Sequence, residues 1–361
     1  MNLGILGGGQ LARMLAMAAH PLNIKCLFLD PAADACAAPM GNLLQAAYDD
    51  PASLEHLSNE CDRITFEFEN VPARALEILE QSVAVAPAAV ALRSANDRVV
   101  EKNLFHQLGI ETAPFAQIDS EQDLLQAAEK IGVPGILKSR HSGYDGKGQA
   151  VIRDIQGVEQ AWKSIGEVSA IYEGFVPFES EASIIAVRSS KGEIRFYPLV
   201  ENTHNNGILT LSIPSEDHPL QALAESMVSK LSNELNYVGV IALELFKVGD
   251  KLLANEYSPR VHNSGHWTIE GALTSQFENH VRAVCDLPLG DTSAFGPSAM
   301  INIVGKLPDI DAILKVPGAH LHLYDKRART GRKIGHITIC CKDRVELKQR
   351  IEQVSNLINI D

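Results

Sequence analysis

A chain of 361 residues, 45% hydrophobic and 21% charged, is long for one core and has the composition of a globular protein of two or three domains. Its formal net charge of −13 argues against a nucleic acid or an anionic membrane as partner, so an anionic ligand must be held by local basic clusters. Six cysteines without a CxxC or a Cys/His metal spacing read as buried reduced thiols, and the absence of a leader-like start or an apolar run of about 18 residues makes a cytoplasmic location the expectation.

Residues 1 to 94 alternate short apolar runs with helical stretches: "NLGIL", "GGGQLARMLAMAAH", "IKCLFLD", a second helical stretch, "RITFEF" and "ARALEILEQ". That βαβαβα order predicts a parallel sheet with right-handed crossovers. Within it, "GGGQLA" at 7–12 matches G-x-G-x-x-A between strand and helix, and Asp30 ends the next strand. Three readings stay open: a dinucleotide fingerprint, a packing turn, or a helix N-terminus that binds a substrate phosphate or ring. The chain then enters a helix over about 98–108, with Asn96 or Asp97 as its cap.

A small α/β unit follows at about 112–172, with strands "GILKSR", "QAVIR" and "SAIYEGFV" and a helix at "EQDLLQAAEKI". Its loop in "ILKSRHSGYDGKGQAVI", residues 136–152, carries glycines at 143, 146 and 148 beside Asp145 and Lys147. Such glycines let backbone N–H groups approach an anion, although the spacing is neither the P-loop nor the dinucleotide pattern.

Alternating strands dominate from "EASIIAVRS" onward, broken by a helix near 221–235. The runs "VGVIALELFKV" and "KLLANEYSPR" are joined at Gly249-Asp250 and carry Glu244 and Glu256. A three-residue loop sets these two carboxylates opposite each other, whereas a two-residue loop sets Asn255 opposite Glu244. Facing carboxylates about 5 Å apart need a proton or a cation between them, and oxygen ligands with room for phosphate favour Mg²⁺. The plain alternative is a solvent-facing pair with no metal. "NEYSPRVHNSGHWT", 255–268, places Arg260, His262, Asn263, Ser264 and His266 just beyond, and a metal-bound phosphate beside an Arg suits phosphoryl transfer. Near the end, "AHLHLYDKRARTGRKIGHITICC" sets a basic turn between two alternating strands, and a helix closes the chain. The turn holds five basic residues from Lys326 to Lys333; by composition it reads equally as a solvated hairpin.

Seven segments in order resemble the ATP-grasp ligases and, within them, the N5-carboxyaminoimidazole ribonucleotide synthetases of purine biosynthesis. They are "GGGQLARM" (7–14), "TFEFENVP" (65–72), "NDRVVEKNLF" (96–105), "ILKSRHSGYDGKGQ" (136–149), "EGFVPFESE" (173–181), "NEYSPRVHNSGHWT" (255–268) and "YDKRARTGRKIGHIT" (324–338). "PRVHNSG" departs from the PRPHDTG usual in the formate-dependent glycinamide ribonucleotide transformylases. No Met-Lys-Met biotin acceptor is present, so no biotin is expected.

The resemblance implies an α/β (α+β) ATP-grasp fold. Its parts would be a Rossmann-like pre-ATP-grasp domain at 1–94, an ATP-grasp domain at 95–290 with a lid subdomain at about 112–172, and a β-rich domain at 291–361. It implies ATP and Mg²⁺, bicarbonate as co-substrate, 5-aminoimidazole ribonucleotide as acceptor, and a homodimer. The ATP site it implies has Gly143, Tyr144, Asp145, Gly146, Lys147, Gly148 and Gln149 as a mobile loop over the phosphates, with Lys138 and Arg98 as further contacts. Glu173, Gly174, Phe175 and Val176 form the hinge whose backbone reads adenine, Glu181 binds the ribose, and His204, Asn255 and Glu256 complete the site. By the same resemblance Glu244 and Glu256 would hold the metal, Arg260 would stabilise bicarbonate, and His262 and Asn263 would position the acceptor or carboxyl group. The acceptor would lie over Gly9, Gln10 and Leu11 and over Glu67, Glu69 and Asn70, with Lys326, Arg332 and Lys333 on its phosphate. An oxidoreductase built on the first unit and a non-catalytic nucleotide sensor are the alternatives from other classes.

Overall fold

The computed structural model describes residues 1–141 and 148–358. Apolar runs at Asn2–Leu6, Lys25–Asp30 and Arg63–Phe66 form the centre of a parallel five-stranded sheet, flanked by Asn42–Gln45 and Ala84–Val85. The flanking strands are four and two residues long, too short for a periodicity to reveal them. From Asn2–Leu6 the chain builds outward on one side through Lys25–Asp30, then returns to add Arg63–Phe66 on the other. The carboxyl ends of Asn2–Leu6 and Arg63–Phe66, paired at Leu6 and Phe66, therefore flank a topological switch point. Open α/β sheets bind ligands at such a crevice.

A four-stranded antiparallel sheet, ordered Phe115–Ile118, Ala170–Gly174, Gly135–Ser139 and Gln149–Ile152, makes the small unit. Helices Glu121–Ile131 and Val158–Ser164 cover it through Leu124, Ala128 and Trp162. The third sheet has nine strands among the described residues. The last three, Ser298–Val304, Lys333–Cys340 and Ala319–Leu323, join it through Ile208–Ser215 and form no sheet of their own. The basic turn thus hangs from the same sheet as Glu244 and Glu256. Among the described residues no helix is long and apolar enough to cross a membrane.

One core joins the first unit to the large sheet: Leu3, Leu15 and Phe28 pack with Ile185, Trp267 and Phe277. Each large apolar side chain fully buried there contributes about 1.5–3 kcal/mol. His280 pins the seam. Burial holds its pKa at about 3, so the ring is neutral: Nδ1 accepts from Val240 N–H at 3.1 Å and Nε2–H meets Thr65 Oγ1 at 2.9 Å.

Of the two candidate caps for helix Arg98–Gln107, Asp97 takes the position, accepting from Val99 and Val100 N–H. The same carboxylate receives Arg140 Nε at 2.8 Å and Nη2 at 2.7 Å, tying the helix start to the small sheet. Burial raises its pKa, but Arg140 and the Val100 N–H more than offset this and lower it overall. Its stabilisation is present above the unfolded carboxylate pKa and lost as pH falls through the depressed value. Asp97→Ala is expected to cost about 1–2 kcal/mol, read as a lower Tm at pH 7 and a gap from wild type that narrows in acid.

Candidate active site

The three sheets converge on a cleft of about 1340 Å³. Its first wall is the switch point. Gly9 N–H donates to Glu67 Oε1 at 2.5 Å and Ala12 N–H to Glu67 Oε2 at 2.9 Å, so a buried carboxylate complements the N-terminus of helix Gln10–Ala19. The glycines exist for that approach: a Cβ at Gly7, whose φ is +107°, would lie 2.3 Å from Glu67 Cγ, and one at Gly9 would lie 2.3 Å from Oε1. Asp30 accepts from the Gly8 and Ala32 N–H groups and from the Tyr48 hydroxyl. Asp30 and the Gly9 N–H, which a dinucleotide would use, are thus engaged within the chain, and Glu67 already supplies negative charge at the helix N-terminus. Burial raises Glu67, its two N–H partners and Lys326 lower it, and Asp30 raises it again; the net is upward. Gly9, Gln10 and Leu11 all line the cleft, Gln10 accepting from Lys326 Nζ and Leu11 presenting little of its buried side chain.

Opposite lies the carboxylate hairpin. Its turn has two residues, since Val248 pairs with Lys251 around Gly249-Asp250. That register by itself would set Asn255 against Glu244. A bulge, with Leu245 opposite Ala254 but Leu243 opposite Tyr257, inserts one residue, so both Asn255 and Glu256 oppose Glu244. Burial raises Glu256 and the charge of Glu244 raises it further, against Arg98 and Lys138. Glu244 moves the other way: burial is overcome by the His262 ring, with His204 and Arg260, and its pKa falls to about 2. His262 Nε2 sits 3.1 Å from Glu244 Oε1, and its Nδ1 is 2.8 Å from Ser264 Oγ. Behind it, Ser183 Oγ donates to Ser264, Asn202 Nδ2 to Ser183, and Ser212 Oγ to Asn202. This buried chain fixes the ring's orientation.

The remaining candidates fall into two groups. Arg98 Nη2 stands 3.7 Å from Glu256 Oε2, Lys138 Nζ donates to Glu173 Oε2 at 2.6 Å, and His204 Nδ1 is 2.6 Å from Glu181 Oε2. With Gly148 and Gln149 they surround one end of the cleft, except that Glu173 itself is buried behind Lys138. The cleft lining passes Gly174, Phe175 and Val176 by, touching Ile136 and Phe178 beside them; the N–H groups of Gly174 and Phe175 donate to the carbonyls of Pro114 and Pro134. Gly143, Tyr144, Asp145, Gly146 and Lys147 lie outside the described residues. At the other end, Arg260 Nε is 3.0 Å from Glu69 Oε1, with Asn70 at the rim. Asn263 and Asn302 exchange amide hydrogen bonds at 2.7 and 3.1 Å. Lys326, Arg332 and Lys333 all line this end.

Family models match in chain order: a ribonucleotide synthetase preATP-grasp domain at 1–96, an ATP-grasp domain at 103–277 and a phosphoribosylaminoimidazole carboxylase C-terminal domain at 298–350. The N5-carboxyaminoimidazole ribonucleotide synthase of Pseudomonas aeruginosa is 53% identical, with 99% of each chain covered. This chain belongs to the N5-carboxyaminoimidazole ribonucleotide synthases. It is therefore an ATP-grasp ligase by family. The synthetase structure from Thermus thermophilus superposes with a TM-score of 0.95 at 47% identity over 99% of both chains. The synthase from Aspergillus clavatus, solved with ADP and 5-aminoimidazole ribonucleotide, gives 0.92 at 30% identity over 99% of this chain and 98% of that one.

Residues to which no motif gave a role also build the cleft. Asn302 comes from a strand 39 positions beyond Asn263, and no local pattern links the two. Glu101 and Lys102 were more accessible: they occupy the buried face of helix Arg98–Gln107 between Val99 and Phe105, where apolar residues belong.

Proposed function

We propose that this cleft carboxylates the 5-amino group of 5-aminoimidazole ribonucleotide with bicarbonate and ATP, giving the N5-carbamate, ADP and phosphate, as a step of purine synthesis. The observation that carries the proposal is the bulge: one irregularity sets both Asn255 and Glu256 against Glu244, itself paired with His262, between two cationic ends of a single cleft. Bicarbonate is too poor an electrophile for a weakly basic amine. Transfer of the γ-phosphoryl group to a bicarbonate oxygen gives carboxyphosphate, whose phosphate is a good leaving group, and the amine then takes the carboxyl carbon.

Lys138 and Arg98 bind the nucleotide phosphates, Glu181 and His204 the sugar end, and the hinge 173–176 the base. Arg260, set by Glu69, stabilises charge on bicarbonate, and His262 and Asn263 orient the acceptor or carboxyl group. The donor set suits a hard divalent cation: Glu256 is raised by burial and then by its carboxylate neighbour, and Asn255 Oδ1 is buried with no partner among the described residues. Mg²⁺ held there by Glu244 and Glu256 would neutralise charge between the β- and γ-phosphates. Lys326, Arg332 and Lys333 take the acceptor's phosphate, while the ring lies against Gly9, Gln10, Leu11 and the 67–70 loop. With the helix N-terminus held by Glu67, the basic turn is the phosphate seat. The domain limits 1–94, 95–290 and 291–361 and a homodimer belong to the same reading and rest on the family resemblance, and a cytoplasmic location is consistent with an enzyme of purine synthesis.

The test is phosphate release from ATP with bicarbonate, with and without aminoimidazole ribonucleotide. Acceptor-dependent release with carbamate formation is expected. ATP binding without phosphate release would make the chain a sensor.

A further inference from the structure

Helix Arg98–Gln107 turns Lys102 inward until its side chain is 2% exposed. The ammonium lies 3.2 Å from Glu173 Oε1 and donates to the Asn255 carbonyl at 2.7 Å. The other oxygen of Glu173 holds Lys138 at 2.6 Å. One buried carboxylate therefore sits between two ammonium groups, the first sealed in the interior and the second lining the cleft. Burial pushes Glu173 up, yet Lys138 and Lys102 together bring it to about 2, so it is ionised.

A lysine held by a buried carboxylate can reach a phosphate only by leaving that carboxylate. A buried carboxylate with no remaining partner is strongly disfavoured, so with Lys138 as sole partner the lysine would be retained. We propose that Lys102 is a positioning residue that keeps Glu173 paired from the interior side and so frees Lys138 to engage ATP. Its second contact, on the Asn255 carbonyl, holds the bulge that presents Asn255 and Glu256, so one ammonium braces both strands that face the nucleotide.

This inference rests on the assignment of Lys138 to the ATP phosphates, and the experiment separates the two. Michaelis constants for ATP are measured at saturating bicarbonate and aminoimidazole ribonucleotide for Lys138→Met, Lys102→Met and the pair Lys102→Met/Glu173→Gln, with Tm as a check on folding. Lys138→Met should raise the constant about tenfold or more, as for a lost charged hydrogen bond, and Lys102→Met should do the same because Glu173 now retains Lys138. The double variant removes one buried charge of each sign and releases Lys138 while keeping the backbone at 173, so its constant should fall about threefold or more below that of Lys102→Met; such recovery is a coupling that independent losses do not show. An unchanged constant in Lys138→Met would overturn the nucleotide assignment itself. If Lys138→Met is impaired but the double variant is no better than Lys102→Met, or worse, Lys102 acts only through packing or the bulge, and the inference is wrong.

Discussion

Glu256→Gln should lower turnover by about 100-fold or more, the scale of removing one group that stabilises developing charge, while Tm stays level or rises. The two effects part because the ionised pair works against the fold. Glu256 is raised by burial and by the charge of Glu244, so its ionisation at neutral pH opposes folding until a cation lies between the two. Glutamine keeps the shape and removes that repulsion together with the metal's ligand. Glu244→Gln should also lose turnover, but with a falling Tm, because Glu244 is paired with the His262 ring 3.1 Å away. Its pKa of about 2 marks stabilisation present above the unfolded carboxylate range, near 4.3, and lost as pH falls toward 2. Phosphate release across a Mg²⁺ titration, with melting curves for both variants, checks the pair. Unchanged turnover of Glu256→Gln at limiting Mg²⁺ would remove Glu256 from the ligand set.

Arg332→Ala should raise the Michaelis constant for aminoimidazole ribonucleotide about tenfold or more, by loss of a charged hydrogen bond, and leave that for ATP nearly unchanged. Arg332 lines the cleft in a turn anchored at one end by strand Lys333–Cys340, with Lys326 drawn toward Gln10. Its planar fork can grip a phosphate through two bonds, whereas the lysines offer point charges. These contacts lie away from the reacting amine, so they act mainly on ground-state binding. The dephosphorylated nucleoside should be a poor substrate for wild type and variant alike. A rise in the ATP constant with the acceptor's unaffected would mean that the turn serves the nucleotide.

Local pattern was enough to predict the first parallel unit, the helix Glu121–Ile131, the basic turn between antiparallel strands and the paired acidic residues of the hairpin. Each is a short-range property: apolar period, turn residues and charge sit within a few positions of one another. The choice between Asn96 and Asp97 as cap was not local, because Arg140, 43 residues on, rewards the carboxylate. Whether Glu244 faced Asn255 or Glu256 was not local either. Loop length alone allowed one or the other, and the bulge supplied both, because it sets two residues of one strand against one of its partner. The glycine triplet marked a close approach, but only the fold showed that the approaching group is Glu67, just beyond the end of strand Arg63–Phe66 and nearly 60 residues away. Lys102 and Asn302 were decided in the same way. A charge or amide can be buried only if a partner is already there, and the partners of these two are brought by strands that meet them only once the sheets have closed.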